Sequence, residues 1–306
     1  MKKILSISLG SSTRDHKVET EICGEKISIE RKGTDGDKKR ARKLFSKLDG
    51  KYDAFGLGGI DLYIYAGKKR FTFRDARRLI SGVNETPVVD GSGLKNTLER
   101  QVIEYLNDST GLNFKKKTVL MVSAADRFGM ADTFSRLGAD LILGDIVFGL
   151  GLPFPIKKVR TLERLAWVLG PIITKLPFEL IYPTGSRQEK EEKKKYRYLY
   201  DKADIIAGDF HYIKKYLPDN LQDKIVITNT VTTNNLEDFR QRGVKMVVTT
   251  TPELQGRSFG TNVMEAVFVS ILDKHLTTID EQDYLDLLDK IDFQPRILDF
   301  KNNIAS

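Results

Sequence analysis

Two carboxylates stand where an α/β chain could put them to chemical use. The first is Asp145. Thr118 to Val122 is a short, β-branched apolar run that reads as a buried strand, Ser123 to Phe128 is a polar loop, and Met130, Phe134 and Leu137 carry a helical spacing that ends at Gly138. Leu141 to Leu143 reads as a second strand and delivers Asp145, 22 residues after Ser123. A strand, loop, helix and strand ending in a carboxylate make the first half of a dinucleotide-binding unit. Helix N-terminal amides suit a pyrophosphate, and the carboxylate accepts from ribose hydroxyls. The residues for this task are Ser123, Ala124, Arg127 and Gly129 around the loop, Asp145 at the ribose, and Thr249 after the last strand of the alternation. Ile146, Val147 and Phe148 follow Asp145, so no arginine stands ready for a 2′-phosphate. NAD is therefore expected over NADP by roughly 1–3 kcal/mol. The segment SAADRFGMA holds a single glycine, and the same unit without a nucleotide is an ordinary crossover; both readings stay open.

The second carboxylate is Asp90. Pro87 to Val89 reads as a short strand, and Asp90-Gly91-Ser92-Gly93 turns into a helix running to about Asn107. Asp90 either faces a cleft at a strand end or belongs to a turn capped by Ser92. Three further polar clusters follow expected strands: 182–187 with Arg187, 208–211 with Asp209 and His211, and 249–251 continuing to 256–262 with Arg257. Ligands of open α/β sheets lie beyond the carboxyl ends of strands, so the three could line one crevice. Three histidines and one cysteine show no zinc-type spacing, and neither a G-x-x-x-x-G-K-[ST] loop nor a G-x-S-x-G elbow occurs. No metal site is expected.

The elements that position these groups change character along the chain. Residues 2–9 alternate as a strand, Val18 to Ile29 reads as a hairpin turning near Gly24, and Leu62 to Phe73 as another turning at Gly67-Lys68-Lys69. Between the hairpins, Asp37 to Leu48 keeps Ala41, Leu44, Phe45 and Leu48 on one helix face. Beyond Lys117 a β–α alternation takes over, with strands expected at 178–182, 204–207, 224–228 and 245–249. The expected architecture is α/β: a Rossmann-like, doubly wound parallel sheet over residues 113–306, after a smaller N-terminal α/β domain over residues 1–112 that would hold the substrate.

At 306 residues the chain can bury two cores. Its net charge of +8 is spread over solvated helix faces and loops with no aromatic–basic repeat, which argues against nucleic acid; the expected partner is a small-molecule substrate. Its apolar stretches are interrupted by charges or prolines, so no membrane span is expected. A lone Cys23 fits a reducing, cytoplasmic setting, and a homodimer is one assembly the chain could form.

VVDGSGLKNTLE resembles the N-T-D-G-x-G-x-x-x-x-L stretch of shikimate and quinate dehydrogenases, and KKKTVLMVSAADRFGMADTFSRLGA is similar in length and pattern to that family's strand, loop and helix. The order of elements is also similar: a substrate domain, a nicotinamide-binding domain, then a C-terminal helix returning toward the first. The resemblance implies a dehydrogenase acting on a cyclic polyhydroxy acid with NAD or NADP. It makes Asp90 the catalytic aspartate and Lys68 or Lys69 its proton-transfer partner, with Ser11 and Ser12 as the counterpart of a substrate-binding serine motif. Arg187 or Arg257 could take the substrate carboxylate by a bidentate pair. Two other readings remain: a nucleotide or nucleotide-sugar transferase seating its donor on 256–262 and Glu265, and a non-catalytic sensor of an acidic metabolite.

Overall fold

A computed structural model of the chain describes residues 1–67, 69–177, 196–229, 231–251, 253–254, 257–258 and 260–301. Two separate sheets organise it. The first is built from β1 (Lys2–Ser8), β2 (His16–Ile22), β3 (Glu25–Gly33), β4 (Ala54–Gly58) and β7 (Val88–Val89), in the order β2-β3-β1-β4-β7. β3, β1, β4 and β7 run parallel, and β2 folds back antiparallel on β3 through the turn at Gly24. A side hairpin, β5 (Tyr63–Ala66) with β6 (Lys69–Thr72), stands off this sheet.

The second sheet contains β8 (Thr118–Met121), β9 (Asp140–Leu143), β10 (Ile205–Gly208), β11 (Ile225–Thr228) and β12 (Met246–Thr249), all parallel. After a small ladder of β13 (Glu253–Leu254) and β14 (Arg257–Ser258), the chain returns as β15 (Arg296–Asp299), antiparallel to β12 at the edge. The order β9-β8-β10-β11-β12-β15 reverses direction between β8 and β10, which makes their carboxyl ends the switch point of a doubly wound sheet. The α/β class is that expected from the alternation of apolar runs; the strand expected at 178–182 lies outside the described residues.

Each sheet is buried on both faces, as parallel strands require. The helices are α1 (Lys38–Leu48), α2 (Arg74–Leu79), α3 (Ser92–Ser109), α4 (Phe128–Arg136), α5 (Asp145–Leu150), α6 (Val159–Ile173), α7 (Arg197–Lys202), α8 (Phe210–Tyr216), α9 (Thr233–Gln241), α10 (Thr261–Leu272) and α11 (Glu281–Lys290). Phe45 and Ala41 of α1 and Ala76 of α2 close one face of the first sheet against Leu5, Phe55 and Leu57. The other face, Ile4, Ile27 and Ile29, is covered by Val263 to Val269 of α10 and by Tyr284, Leu287 and Leu288 of α11. The C-terminal helices therefore belong to the first lobe by contact.

Helix α3 joins the two cores. Leu94 and Leu98 are buried with the first sheet, while Val102, Ile103 and Leu106 are buried with the second, beside Val119, Met121 and Phe134. Against an expected division at 112/113, each lobe draws on discontinuous segments, with one rigid 18-residue helix spanning the junction. No helix among the described residues is long and apolar enough to cross a membrane.

Candidate functional site

Between the lobes the carboxyl ends of β1, β4, β8, β10 and β11 face a cleft of about 520 Å3. Parallel strands end there on both sides, so the cleft is lined by the loops that such sheets use for ligands. Its second-lobe wall carries Asp126 and Arg127 after β8, Asp209 and His211 after β10, and Asn229 after β11. Its first-lobe wall carries Ser8, Arg14, Arg31 and Asp61, and Lys95 enters from α3 at the junction.

The centre of the cleft is a charge cluster. Lys95 Nζ donates to Asp126 Oδ1 at 2.6 Å and lies 4.0 Å from Asp61. The Arg127 guanidinium pairs with Glu99, and its Nη2 donates to Asp209 Oδ2 at 3.2 Å. Asn229 Nδ2 also donates to Asp209 Oδ2, at 2.9 Å, while Asp209 Oδ1 caps the first turn of α8 by accepting from the His211 and Tyr212 amides. Two cations thus face four carboxylates in a buried setting. Burial, opposed by Lys95 and reinforced by Asp61, pushes the Asp126 carboxyl up to about 7. Burial works to lower Lys95, but Asp126 and Asp61 overcome it and leave the ammonium above its ordinary value. The excess of carboxylate accounts for both directions: the cluster holds a proton on Asp126 while Lys95 stays charged. Burial would raise Asp209 as well, yet Arg127 holds it below the usual carboxylate range.

Asp90 lies at the edge of this cleft, but its oxygens are taken. Oδ2 accepts from the Leu62 and Tyr63 amides at 2.6 and 3.0 Å, and Oδ1 from the Ser92 amide and hydroxyl at 3.0 and 2.6 Å. It therefore fixes the start of the β5 hairpin and the first turn of α3. Burial and the nearby Asp61 push its carboxyl upward. The glycines of the D-G-x-G motif answer to helix α10. Gly91 has φ +92°, and a Cβ there would stand 2.6 Å from the Asn262 amide nitrogen and 2.8 Å from the Thr261 carbonyl carbon. A Cβ at Gly93 would fall 2.4 Å from the Glu265 carboxylate. Gly91→Ala is expected to cost more than about 3 kcal/mol in urea unfolding, because backbone cannot move aside as a side-chain end can.

In the loop after β8 the amides expected to meet a dinucleotide already have an internal partner. Asp145, expected at a ribose, instead reaches back: its Oδ1 accepts from the Ala124 amide at 3.0 Å and the Ala125 amide at 2.8 Å. These are the donors a pyrophosphate would need, and an internal carboxylate satisfies them. Ala124 is fully buried, and neither Ser123 nor Asp145 lines the cleft. Gly129 serves close contact with α3, where a Cβ would meet the Asn96 carbonyl oxygen at 2.7 Å. Arg127 does line the cleft, held by Glu99 and Asp209. Thr249 is buried in the second sheet, and its hydroxyl oxygen has no hydrogen-bond partner among the described residues.

The other expected site residues are dispersed. Lys69 is exposed on the side hairpin, its ammonium over the rings of Phe71 and Trp167 at 5.0 and 5.6 Å, and Lys68 lies outside the described residues. Ser11 and Ser12 build a one-turn helix. Ser11 Oγ accepts from the Thr13 amide, and the Ser12 amide donates to Asp35. Arg187 lies outside the described residues, and Arg257 is described by its backbone alone, in β14. Glu265 is buried beneath α3, accepting from the Gly91 and Leu94 amides and the Tyr284 hydroxyl, so it is closed to a ribose. The cleft lysine is Lys95, which the sequence reading passes over. A signal for it exists: Lys95 and Glu99 occupy the same stripe of α3 as Val102 and Leu106, and charges on a core-facing stripe demand partners.

The chain matches two family models, "Domain of unknown function (DUF8753)" over residues 3–90 and "Domain of unknown function (DUF8754)" over residues 93–300. No curated protein matches it. Among solved structures it is similar to the hetero-hexameric glutamate dehydrogenase of Thermus thermophilus, at 12% identity over 95% of this chain and 74% of that one, with a TM-score of 0.43. A sugar ABC transport system substrate-binding protein from Bordetella parapertussis aligns at 10% identity over 100% and 92% of the two chains, with a TM-score of 0.41. L-tryptophan dehydrogenase from Nostoc punctiforme aligns at 10% identity over 95% and 79%, with a TM-score of 0.36. Likenesses this distant assign no activity. With its model matching residues 93–300, the larger part of the chain, DUF8754 is the family to which this protein belongs.

Proposed function

We propose that the interlobe cleft binds a small polyhydroxylated acid and that the Lys95–Asp126 pair moves a proton on it. The observation that carries this reading is the 2.6 Å contact between Lys95 and Asp126, set among Asp61, Arg127 and Asp209 at strand ends of both lobes. Carboxylates and an ammonium suit hydroxyl groups, which donate and accept. Asp126, pushed up to about 7, is present in both protonation states near neutral pH, so it can give a proton to or take one from a group reacting on the bound acid, while the adjacent ammonium of Lys95 donates to the same oxygen. Asp61, on the facing wall, is an acceptor for a neighbouring hydroxyl. Acids of the quinate or shikimate type, implied by the D-G-x-G resemblance, belong to this class.

A second reading keeps the nicotinamide-dependent oxidoreductase of the same substrate class. One observation favours it: Asp145 Oδ2 is buried without a hydrogen-bond partner among the described residues, at the end of the second strand where a ribose hydroxyl would fit. It requires Asp145 to release the Ala124 and Ala125 amides when the cofactor arrives.

A thermal-shift panel of quinate, shikimate, NAD, NADP and nucleotide sugars separates the readings, since a ligand of the folded state raises the melting temperature. The first reading expects a shift with a cyclic polyhydroxy acid alone. A shift with NAD alone overturns it in favour of the second, and a shift with nucleotide sugars alone overturns both.

A further inference from the structure

We propose that Arg14 and Arg31, on the first-lobe wall of the cleft, form the subsite that takes the ligand's carboxylate or an equivalent oxyanion. This deepens the reading above by assigning the acid group a place of its own, away from the Lys95–Asp126 pair.

Two guanidinium groups converge there. A Cβ built on Gly10 would lie 2.7 Å from Arg14 Nη2 and 3.2 Å from Arg31 Nη2, so both cations reach the same point above Gly10. The side chain of Arg31 is only 13% exposed. Its Nη1 is anchored by Asp15 Oδ1 at 2.8 Å and the Ser11 carbonyl at 3.0 Å, which leaves Nη2 directed at Gly10. The loop is itself pinned: Asp15 accepts from the Gly33 amide at 2.6 Å, Asp35 accepts from the Ser12 amide at 2.7 Å, and Gly33 leaves room for the Ser11 carbonyl. Arg31 is thus held by a built frame, and the exposed Arg14 side chain reaches the same point from the adjoining turn. Like charges brought close cost energy unless an anion joins them, and Arg14, after burial, is what lowers Arg31. His16 lines the same wall, and Ser8 Oγ, which accepts from the Gly10 amide at 3.0 Å, forms its floor.

One carboxylate, Asp15, pairs with Arg31, while Arg14 makes no ion pair among the described residues. The remaining positive charge matches one oxyanion held by two forks. The cleft is therefore bipolar, basic on the first lobe and acidic at the junction and second lobe. A hydroxylated acid would lie across it with its anionic end toward Gly10.

The test uses inorganic sulfate as a probe that does not depend on the identity of the acid, with sodium chloride at equal ionic strength as control. Sulfate at about 10 mM is expected to raise the melting temperature by about 2 °C or more beyond chloride, in the native chain and in Asp126→Asn alike. Arg14→Met should abolish that difference. So should Gly10→Ala, whose new methyl meets the ends of the Arg14 and Arg31 side chains and the Ser8 hydroxyl, with no backbone atom among its nearest contacts. For a cyclic polyhydroxy acid that binds, calorimetry should find it about tenfold to a hundredfold tighter than its neutral carboxamide, and Arg14→Met should bring the two within about threefold. A native protein that responds to sulfate no more than to chloride overturns the subsite, as does an undiminished response in Arg14→Met. A sulfate response that behaves as expected while no polyhydroxy acid binds leaves the subsite standing and removes the substrate class.

Discussion

Lys95→Met is expected to abolish ligand binding and turnover and to lower stability by about 3 kcal/mol at neutral pH, because it strands Asp126 and Asp61 without their buried cation. Lys95 holds Asp126 down against burial, so its removal sends that carboxyl further up and makes the loss larger as pH rises. Adding Asp126→Asn should recover much of the stability, since a neutral amide needs no counter-charge, while binding and turnover stay lost. Urea unfolding of the two single variants and the double, at pH 6 and pH 8, measures the coupling directly. If Lys95→Met retains both ligand affinity and stability, the pair is not the centre of the site.

Glu265→Ala is expected to be the most destabilising single change away from the cleft. Its carboxylate satisfies the Gly91 amide at 2.6 Å, the Leu94 amide at 3.3 Å and the Tyr284 hydroxyl at 2.9 Å, and alanine would leave all three buried and unpaired. At about 1–3 kcal/mol for each orphaned group, a loss on the order of 4 kcal/mol follows, or roughly 6 °C in melting temperature. Glu265→Gln keeps an acceptor and should cost far less, but it should alter the pH profile. Burial first, and Asp90 second, push the Glu265 carboxyl up to about 7. Between its ordinary value near 4.5 and 7, the folded chain keeps a proton that the unfolded chain has released. Stability therefore falls as pH rises through that window, by about 3 kcal/mol from this group. Glu265→Gln should remove that share, leaving the slope from Asp126, Asp90 and Asp145, whose carboxyls move in the same direction. A native stability that rises from pH 5 to pH 7 would contradict this.

Much of the fold was legible because its signals are local. β1, the Gly24 hairpin, α1 and the strands of the second sheet follow from alternation, helical spacing and β-branched runs that each declare themselves within ten residues. The edge strand β15 did not, since Arg296 to Asp299 carries little pattern and pairs with β12 from far along the chain. The site was harder to read for the same reason. The 208–211 cluster, with Asp209, reaches the cleft where the strand-end rule puts such residues, but the side-chain partners of Asp209 come from the segments after β8 and β11. Asp145 obeys the spacing of a ribose carboxylate, yet the donors nearest to it are amides of its own protein. Spacing places a carboxylate at a strand end; which donors reach it is set by the loop that folds over it. Glu265 stood out in the sequence only as a seat for a donor, and nothing local says that it meets the start of α3 across 174 residues.

The central claim is that the ligand lies between the lobes at Lys95 and Asp126, and amide chemical-shift mapping tests it most directly. The protein, labelled with nitrogen-15, would be titrated with the polyhydroxy acid that gives the largest thermal shift. The account predicts that the perturbed amides cluster on the cleft, at Gly10, Asp61, Lys95, Asp126, Asp209 and Thr261, with Ala124 and Ala125 unmoved on their internal carboxylate. Perturbation concentrated at Ala124, Ala125 and Asp145, with the cleft amides unchanged, would contradict it.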